Sequence, residues 1–192
     1  MIAIIKYNAG NIGSVYNTLN RMGYAVAITD EPEVILSADH VIFPGVGEAS
    51  TAMKHLQQKG LDKVICAVKN PFLGICLGLQ LMCKQSEEGS VSCLGIFDTK
   101  VKLFPPTEKV PHIGWNSFQT IKGPLFKKIR LQDDMYYVHS YYAEECDDTQ
   151  AACDYIRPFS AVLQKDNFYA TQFHPEKSAQ VGEQLLKNFL NL

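Results

Sequence analysis

One cysteine of the 192-residue chain lies in a pattern suited to nucleophilic chemistry. Cys76 is flanked by Gly74 and Gly78, where a short apolar run, Phe72–Cys76, passes into a helical pattern. A nucleophile on a sharp strand-to-helix turn needs glycines two residues to either side, because side chains there would clash with nearby backbone. The start of the helix favours a thiolate, and the Leu77 backbone N–H can stabilise an oxyanion beside the sulfur. The pattern therefore predicts an acyl-transfer nucleophile.

Among five histidines, His174 is the best candidate for the base that a thiol nucleophile needs. It ends a predicted strand and is followed by Pro175 and Glu176. Proline favours an extended conformation in the residue before it, and residues two apart in extended chain project to the same side. Glu176 can therefore reach the imidazole. We expect Cys76, His174 and Glu176 to form a catalytic triad of nucleophile, base and orienting carboxylate.

Each of these two motifs also has a simpler explanation. The cysteine could be a buried residue that happens to lie between glycines, and the histidine could end a strand beside a solvated glutamate. Taken alone, the second motif is more often of that simpler kind. The presence of both motifs in one chain favours the catalytic interpretation.

The apolar periodicity predicts the elements that must position these residues. In the first half, strands at 2–5, 25–28, 41–43 and 72–76 alternate with helices at 11–22, 49–58, 61–69 and 77–84. The second half carries strands at 101–104, 117–121, 136–138, 160–163 and 169–173 and a final helix at 179–190. Such alternation implies parallel crossovers. We expect one three-layer α/β domain over 1–192, with a mostly parallel central sheet, helices on both faces and additional β structure in the second half.

The composition narrows the class of protein. Hydrophobic residues make up 46% and charged residues 20%, as in ordinary globular domains, and a net charge of −2 with scattered basic residues predicts neither nucleic-acid nor membrane binding. The apolar N-terminal run is too short for a signal peptide, so we expect a cytoplasmic protein. The six cysteines form no Cys-x-x-Cys pair and adjoin no histidine cluster, so no metal site is expected. Five of them are interpreted as small buried residues.

The segments Gly-Ile-Cys-Leu-Gly-Leu-Gln (74–80) and Gln-Phe-His-Pro-Glu (172–176) together resemble the class I, triad-type glutamine amidotransferases. The resemblance implies a glutaminase that hydrolyses L-glutamine to L-glutamate and ammonia without a cofactor. Pro-Gly-Val-Gly (44–47) looks like the family's oxyanion loop, which implies an oxyanion hole made by the backbone of Val46, Gly47 and Leu77. The resemblance also implies that Gly45 and Gln80 bind the substrate. Without it, a tight turn and a solvated helix position would explain these residues.

Three further segments are similar to the glutaminase subunits of imidazole glycerol phosphate synthases: Pro-His-Ile-Gly-Trp-Asn (111–116), Tyr-Val-His-Ser-Tyr-Tyr (137–142) and His-Pro-Glu-Lys-Ser (174–178). This similarity implies a heterodimer with a (β/α)₈-barrel cyclase that receives the ammonia in histidine biosynthesis. It further implies that His139, Ser140 and Tyr141 bind the substrate's α-amino and carboxylate groups. The implied partner interface comprises Asn11, His112, Trp115, Asn116 and Lys177. A core role remains the alternative for the His139 and Trp115 side chains.

The first loop departs from the pattern of these subunits. An acidic residue, a glycine and an arginine would be expected where Lys6, Asn8 and Gly13 stand. Two other functions stay open. A glutaminase of anthranilate or aminodeoxychorismate synthase would typically carry histidine at Leu79 and lack Pro-His-x-Gly-Trp-Asn. A non-catalytic binding subunit on the same fold would be expected to lose a member of the triad, and all three are present.

Overall fold

The structure is a computed structural model that describes residues 1–8 and 10–192. The helices are α1 (Ile12–Arg21), α2 (Pro32–Ser37), α3 (Ala49–Lys59), α4 (Leu61–Ala67), α5 (Leu77–Met82) and α6 (Ala179–Phe189). The strands are β1 (Ile2–Ile5), β2 (Val26–Thr29), β3 (His40–Gly45), β4 (Phe72–Cys76), β5 (Gln85–Ser86), β6 (Val91–Ser92), β7 (Lys100–Leu103), β8 (His112–Asn116), β9 (Thr120–Ile121), β10 (Met135–His139), β11 (Tyr141–Ala143), β12 (Thr149–Tyr155), β13 (Arg157–Lys165) and β14 (Phe168–Thr171).

The main sheet has the strand order β2-β1-β3-β4-β14-β13-β12-β9. The strands from β2 to β14 run parallel, whereas β13, β12 and β9 pair antiparallel. Two smaller sheets, β10-β8 and β11-β7-β5-β6, come from the second half of the chain. The predicted fold class, a mostly parallel α/β sheet with additional β structure, is confirmed.

The main sheet lies between two layers of helices because its central strands are apolar on both faces. Ile2 and Ile4 of β1 belong to a core that includes buried residues of α1 and α6. Ala3 and Ile5, which point to the opposite face, belong to a second core that includes buried residues of α2, α3, α4 and α5. The described helices include none that is long and apolar enough to cross a membrane.

Three neighbouring parallel strands bring the candidate site together at their carboxyl ends. In the ladders, Gly45 at the end of β3 is opposite Cys76 at the end of β4, and Ile75 is opposite Thr171 at the end of β14. The loop after β3, the Cys76 turn and the segment that carries His174 therefore leave the sheet at the same edge. This edge is where open α/β sheets usually bind their ligands.

Several sequence-based predictions differ from the structure. The helix α2 was missed because it is short, and β12 was missed because its mixed composition gives little β signal; it forms in a long hairpin with β13. The strand predicted at 117–121 is only β9, since residues 117–119 lie between β8 and β9 and belong to neither strand. The expectation that five cysteines are buried is wrong for Cys66, which is exposed on the outer side of α4, and for Cys93 and Cys146, which are half-buried.

The close packing of α5 on β3 generates a stability prediction. A Cβ added at Gly78 would lie 2.0 Å from the Phe43 carbonyl oxygen, so backbone would have to move. We expect Gly78→Ala to lower the free energy of unfolding by about 1–3 kcal/mol in chemical denaturation. The control is Gly13→Ala in α1, where no heavy atom lies within 4 Å of the new methyl group. It should raise the stability by up to about 1 kcal/mol. Equal stability of Gly78→Ala and wild type would contradict the packing argument.

Candidate active site

Cys76 occupies a strained turn between β4 and α5. Its φ of 55° and ψ of −106° lie in a region that residues with a side chain rarely adopt. The glycines on either side allow this turn to pack tightly. A Cβ at Gly74 would lie 2.5 Å from the Met82 sulfur, and the one at Gly78 would meet the Phe43 carbonyl. The backbone thus forms the tight strand-to-helix turn expected from the Gly-x-Cys-x-Gly pattern.

His174 and Glu176 form a buried pair. The imidazole Nδ1 lies 2.8 Å from the Glu176 Oε1, and both side chains have no solvent exposure. The other ring nitrogen, Nε2, makes no hydrogen bond with the described residues. Burial alone would lower the pKa of His174, but its interactions with Cys76 and Glu176 outweigh burial and raise that pKa. The site therefore favours a protonated imidazole.

His174 itself is extended, with φ of −99° and ψ of 95°, as expected of a residue before proline, but the residues after it do not continue as extended chain. β14 ends at Thr171, and Pro175–Lys177 form a 3₁₀ turn that carries Glu176 back to the imidazole. Ser178 closes this turn: its Oγ donates to the His174 carbonyl at 2.6 Å and accepts from the Tyr136 N–H at 2.9 Å. The pairing of His174 with Glu176 thus comes from a short turn and not from strand geometry.

Asn11 lies against this pair, although the family resemblance implied a place for it in the partner interface. Its Nδ2 donates to the Glu176 Oε1 at 2.5 Å and lies 3.3 Å from the His174 Nδ1. Asn11 precedes α1 with a left-handed φ of 70°, which asparagine tolerates better than most residues. More than 160 positions separate it from Glu176, so sequence spacing could not reveal this contact.

A cavity of about 260 Å³ opens beside Cys76. It is lined by the residues predicted for the oxyanion hole and by most of those predicted to bind substrate. Three further lining residues, Glu88, Pro111 and Val138, were not indicated by the sequence as substrate-binding. The full lining consists of Val46, Gly47, Cys76, Leu77, Gln80, Glu88, Pro111, Val138, His139, Ser140 and Tyr141.

Gly45, predicted to bind substrate, is not part of this lining. It is the buried last residue of β3, and a Cβ there would lie 2.1 Å from the Tyr7 hydroxyl. Glycine at this position therefore makes room for Tyr7. The exposed loop begins with Val46, whose carbonyl accepts a hydrogen bond of 3.2 Å from the Gly10 N–H. This bond connects the first loop of the chain to the predicted oxyanion loop.

Two buried histidines beside the cavity form a directed hydrogen-bond chain. The His139 Nδ1 lies 2.8 Å from the Tyr141 carbonyl, which can only accept, so the His139 Nε2 must accept from the His112 Nδ1 at 3.0 Å. The Asn116 Nδ2 then faces the His112 Nε2 at 3.4 Å. Burial lowers the pKa of His112 to about 4 and that of His139 to about 3. Both rings are therefore neutral at pH 7.

The residues predicted at the partner interface differ in their exposure to solvent. His112 is buried and Asn116 half-buried in this chain, whereas Trp115 is 54% exposed and Lys177 is exposed. Alternation along β8 explains the difference, because Ile113 and Trp115 point to the side opposite His112. The ring of Trp115 packs edge-on against Tyr136 of β10. An apolar surface consequently remains open next to the cavity.

Glu88 is a carboxylate of the site that no sequence motif indicated. It lies in a 3₁₀ turn, lines the cavity, and its Oε2 accepts from the Ala49 N–H at 2.9 Å. Burial and the nearby Glu48 raise the pKa of Glu88. A glutamate twelve residues after the nucleophile is not a recognisable motif by spacing alone. Among residues 1–8 and 10–192, no cluster of three His, Cys, Asp or Glu could hold a metal ion.

Comparisons with known proteins identify the family of this chain. The family model described as "Glutamine amidotransferase class-I" matches residues 4–192. The chain is 58% identical over its full length to 99% of a Bacteroides fragilis protein named "Imidazole glycerol phosphate synthase subunit HisH". It is 44% identical, again over its full length, to 98% of a Vibrio cholerae protein of the same name. The resemblance inferred from the motifs is thereby confirmed.

The fold comparison is consistent with that family. The glutaminase domain of Trypanosoma brucei CTPS superimposes with a TM-score of 0.66 at 14% identity, over 99% of this chain and 93% of the other. At that identity the likeness establishes the shared fold. With the family model over residues 4–192 and relatives at 44–58% identity, the chain belongs to the class I glutamine amidotransferase family.

Proposed function

We propose that the chain is the glutaminase subunit of an imidazole glycerol phosphate synthase, and that 1–192 form one amidotransferase domain. The observation that carries the proposal is the Cys76 turn, with the buried His174–Glu176 pair beside a cavity. The names of the relatives from Bacteroides fragilis and Vibrio cholerae support the same function. The reaction converts L-glutamine and water to L-glutamate and ammonia.

The triad carries out the chemistry in two stages. His174 takes the proton of Cys76, and the thiolate attacks the side-chain amide carbon of glutamine. The tetrahedral intermediate collapses as His174 returns a proton to the departing ammonia, leaving a glutamyl thioester. Water, deprotonated by His174, then hydrolyses the thioester. Glu176 and Asn11 hold the imidazole in position, and the carboxylate stabilises its protonated form.

Backbone N–H groups stabilise the oxyanion of both intermediates. The Leu77 N–H lies at the start of α5, immediately after the nucleophile, and Val46 and Gly47 line the cavity from the loop after β3. Removing one such donor from an oxyanion hole typically costs about 10²–10³ in turnover. The orientation of this loop, which the Gly10 contact to Val46 influences, is therefore a point at which activity can be controlled.

The cavity supplies partners for the charged ends of glutamine. Glu88 is the carboxylate in the lining and suits the α-ammonium group. Backbone around His139, Ser140 and Tyr141, on the same side as Gln80, suits the α-carboxylate and the amide. Because burial keeps the His139 ring neutral, it adds no charge that would compete with Glu88.

A cyclase of the (β/α)₈-barrel type forms a heterodimer with this subunit. Free ammonia at neutral pH is mostly protonated and thus loses its nucleophilicity, so the acceptor enzyme has to cover the site. The exposed apolar face of β8, with Ile113 and Trp115 both more than half exposed, supports docking there. Lys177 lies next to the triad and suits the same interface. Six unpaired cysteines fit a reducing compartment such as the cytoplasm.

We expect Cys76→Ala to lower glutamine-dependent turnover of the complex with its cyclase by at least about 10³-fold, because the nucleophile is lost. Turnover with ammonia supplied directly should match wild type, since that chemistry lies in the other subunit. The measurement is steady-state imidazole glycerol phosphate formation with each nitrogen source. Cys66→Ala, which removes an exposed cysteine far from the site, is the control. Glutamine-dependent activity near wild type in Cys76→Ala would rule out the nucleophile.

We expect Glu88→Gln to raise the KM for glutamine by roughly 10-fold or more, because a charge-assisted hydrogen bond to the α-ammonium group is lost. The kcat should change less, since Glu88 does not touch the reacting carbon. Glu87→Gln provides a matched control, because Glu87 is exposed and its carboxylate instead accepts from the Leu103 N–H. An unchanged KM in Glu88→Gln would show that the ammonium group binds elsewhere.

A further inference from the structure

Gln172 is a fully buried amide between the nucleophile and the substrate cavity. It follows β14 directly, and its backbone N–H donates to the Ala161 carbonyl at 2.9 Å. Its side chain reaches two functional residues. The Nε2 lies 3.8 Å from the Cys76 sulfur, within the range of hydrogen bonds to sulfur, and the Oε1 lies 3.1 Å from the Gln80 Nε2.

The orientation of this amide follows from its neighbours. The Gln80 Nε2 donates to the Tyr141 carbonyl at 3.0 Å, and a carbonyl oxygen can only accept. The second N–H of that nitrogen therefore faces the Gln172 Oε1. A flipped Gln172 would place two NH₂ groups against each other and its oxygen against the sulfur. The N–H of Gln172 consequently points at Cys76.

A backbone carbonyl near the sulfur favours the thiol over the thiolate. The Val138 carbonyl oxygen lies 3.9 Å from the Cys76 Sγ and can accept a hydrogen bond from a thiol but not from a thiolate. A thiolate next to that oxygen is destabilised unless donors face it. Gln172 supplies a neutral donor on the sulfur, in addition to the charged imidazole of His174.

We propose that Gln172 is a further catalytic residue, whose side-chain N–H stabilises the Cys76 thiolate while its oxygen fixes Gln80 in the substrate cavity. The nucleophile and a substrate-binding residue then share one buried amide, so occupation of the cavity and reactivity of the sulfur are physically linked. This role rests on the proposed function of Cys76 as the nucleophile.

The test is the pH profile of Cys76 alkylation by iodoacetamide, quantified on the Cys76 peptide by mass spectrometry with the exposed Cys66 peptide as internal reference. Gln172→Glu keeps the acceptor for Gln80 but replaces the N–H donor by an oxygen. The midpoint of the profile should move up by about one pH unit or more, and alkylation at neutral pH should slow about 10-fold. Gln172→Met, which lacks both hydrogen bonds, should give a similar shift and a raised KM for glutamine.

Gln164→Met is the matched control, because the Gln164 side chain donates to the exposed Asp166 carbonyl and, among the described residues, makes no hydrogen bond to Cys76 or Gln80; its profile should equal wild type. Circular dichroism identifies variants that fold. If either folded variant at position 172 retains the wild-type profile, Gln172 only packs and the proposal fails. The alkylation assay needs no glutamine turnover, so its outcome is separate from that of Cys76→Ala, which tests whether Cys76 is the nucleophile at all.

Discussion

The approach of α5 to the end of β3 is the constraint on which the active site depends. Because Gly78 has no side chain, its backbone packs directly against the Phe43 carbonyl, and this contact holds Cys76 in a left-handed turn. The pairing of Gly45 in β3 with Cys76 in β4 then places the loop that begins at Val46 beside the Cys76 sulfur. The next parallel strand, β14, delivers His174 to the same edge. The proposed nucleophile, oxyanion donors and base thus converge without any of them lying on a long loop.

The three buried histidines near the cavity show how surroundings decide a residue's role. His112 and His139 have neutral partners, and burial keeps their pKa values low. His174 is equally buried, yet Glu176 and the Cys76 sulfur raise its pKa. The same side chain therefore serves as a neutral hydrogen-bond element in two positions and is the proposed proton carrier in the third. Asn11 contacts the carboxylate of Glu176 and Gln172 contacts the sulfur of Cys76.

Much of the fold was predictable because buried parallel strands leave clear apolar runs: β1 and β4 have the bounds expected from the sequence. The family was predictable from two motifs, each confined to seven residues or fewer. The sequence did not predict the contacts of Asn11, Glu88 and Gln172. These contacts join residues distant in the chain and depend on the packing of several strands. The 3₁₀ turn after His174 was also missed, since proline suits both extended chain and the start of a helix.

We propose that Cys76 attacks the side-chain carbon of a glutamine held in this cavity. The most direct test is to incubate the protein and its cyclase with a glutamine analogue that carries an electrophilic carbon at the amide position, and to map the adduct by mass spectrometry. We expect one adduct per chain, on Cys76 among the six cysteines, which excess L-glutamine suppresses and which is absent in His174→Ala. An adduct on another cysteine, or labelling that glutamine does not suppress, would contradict it.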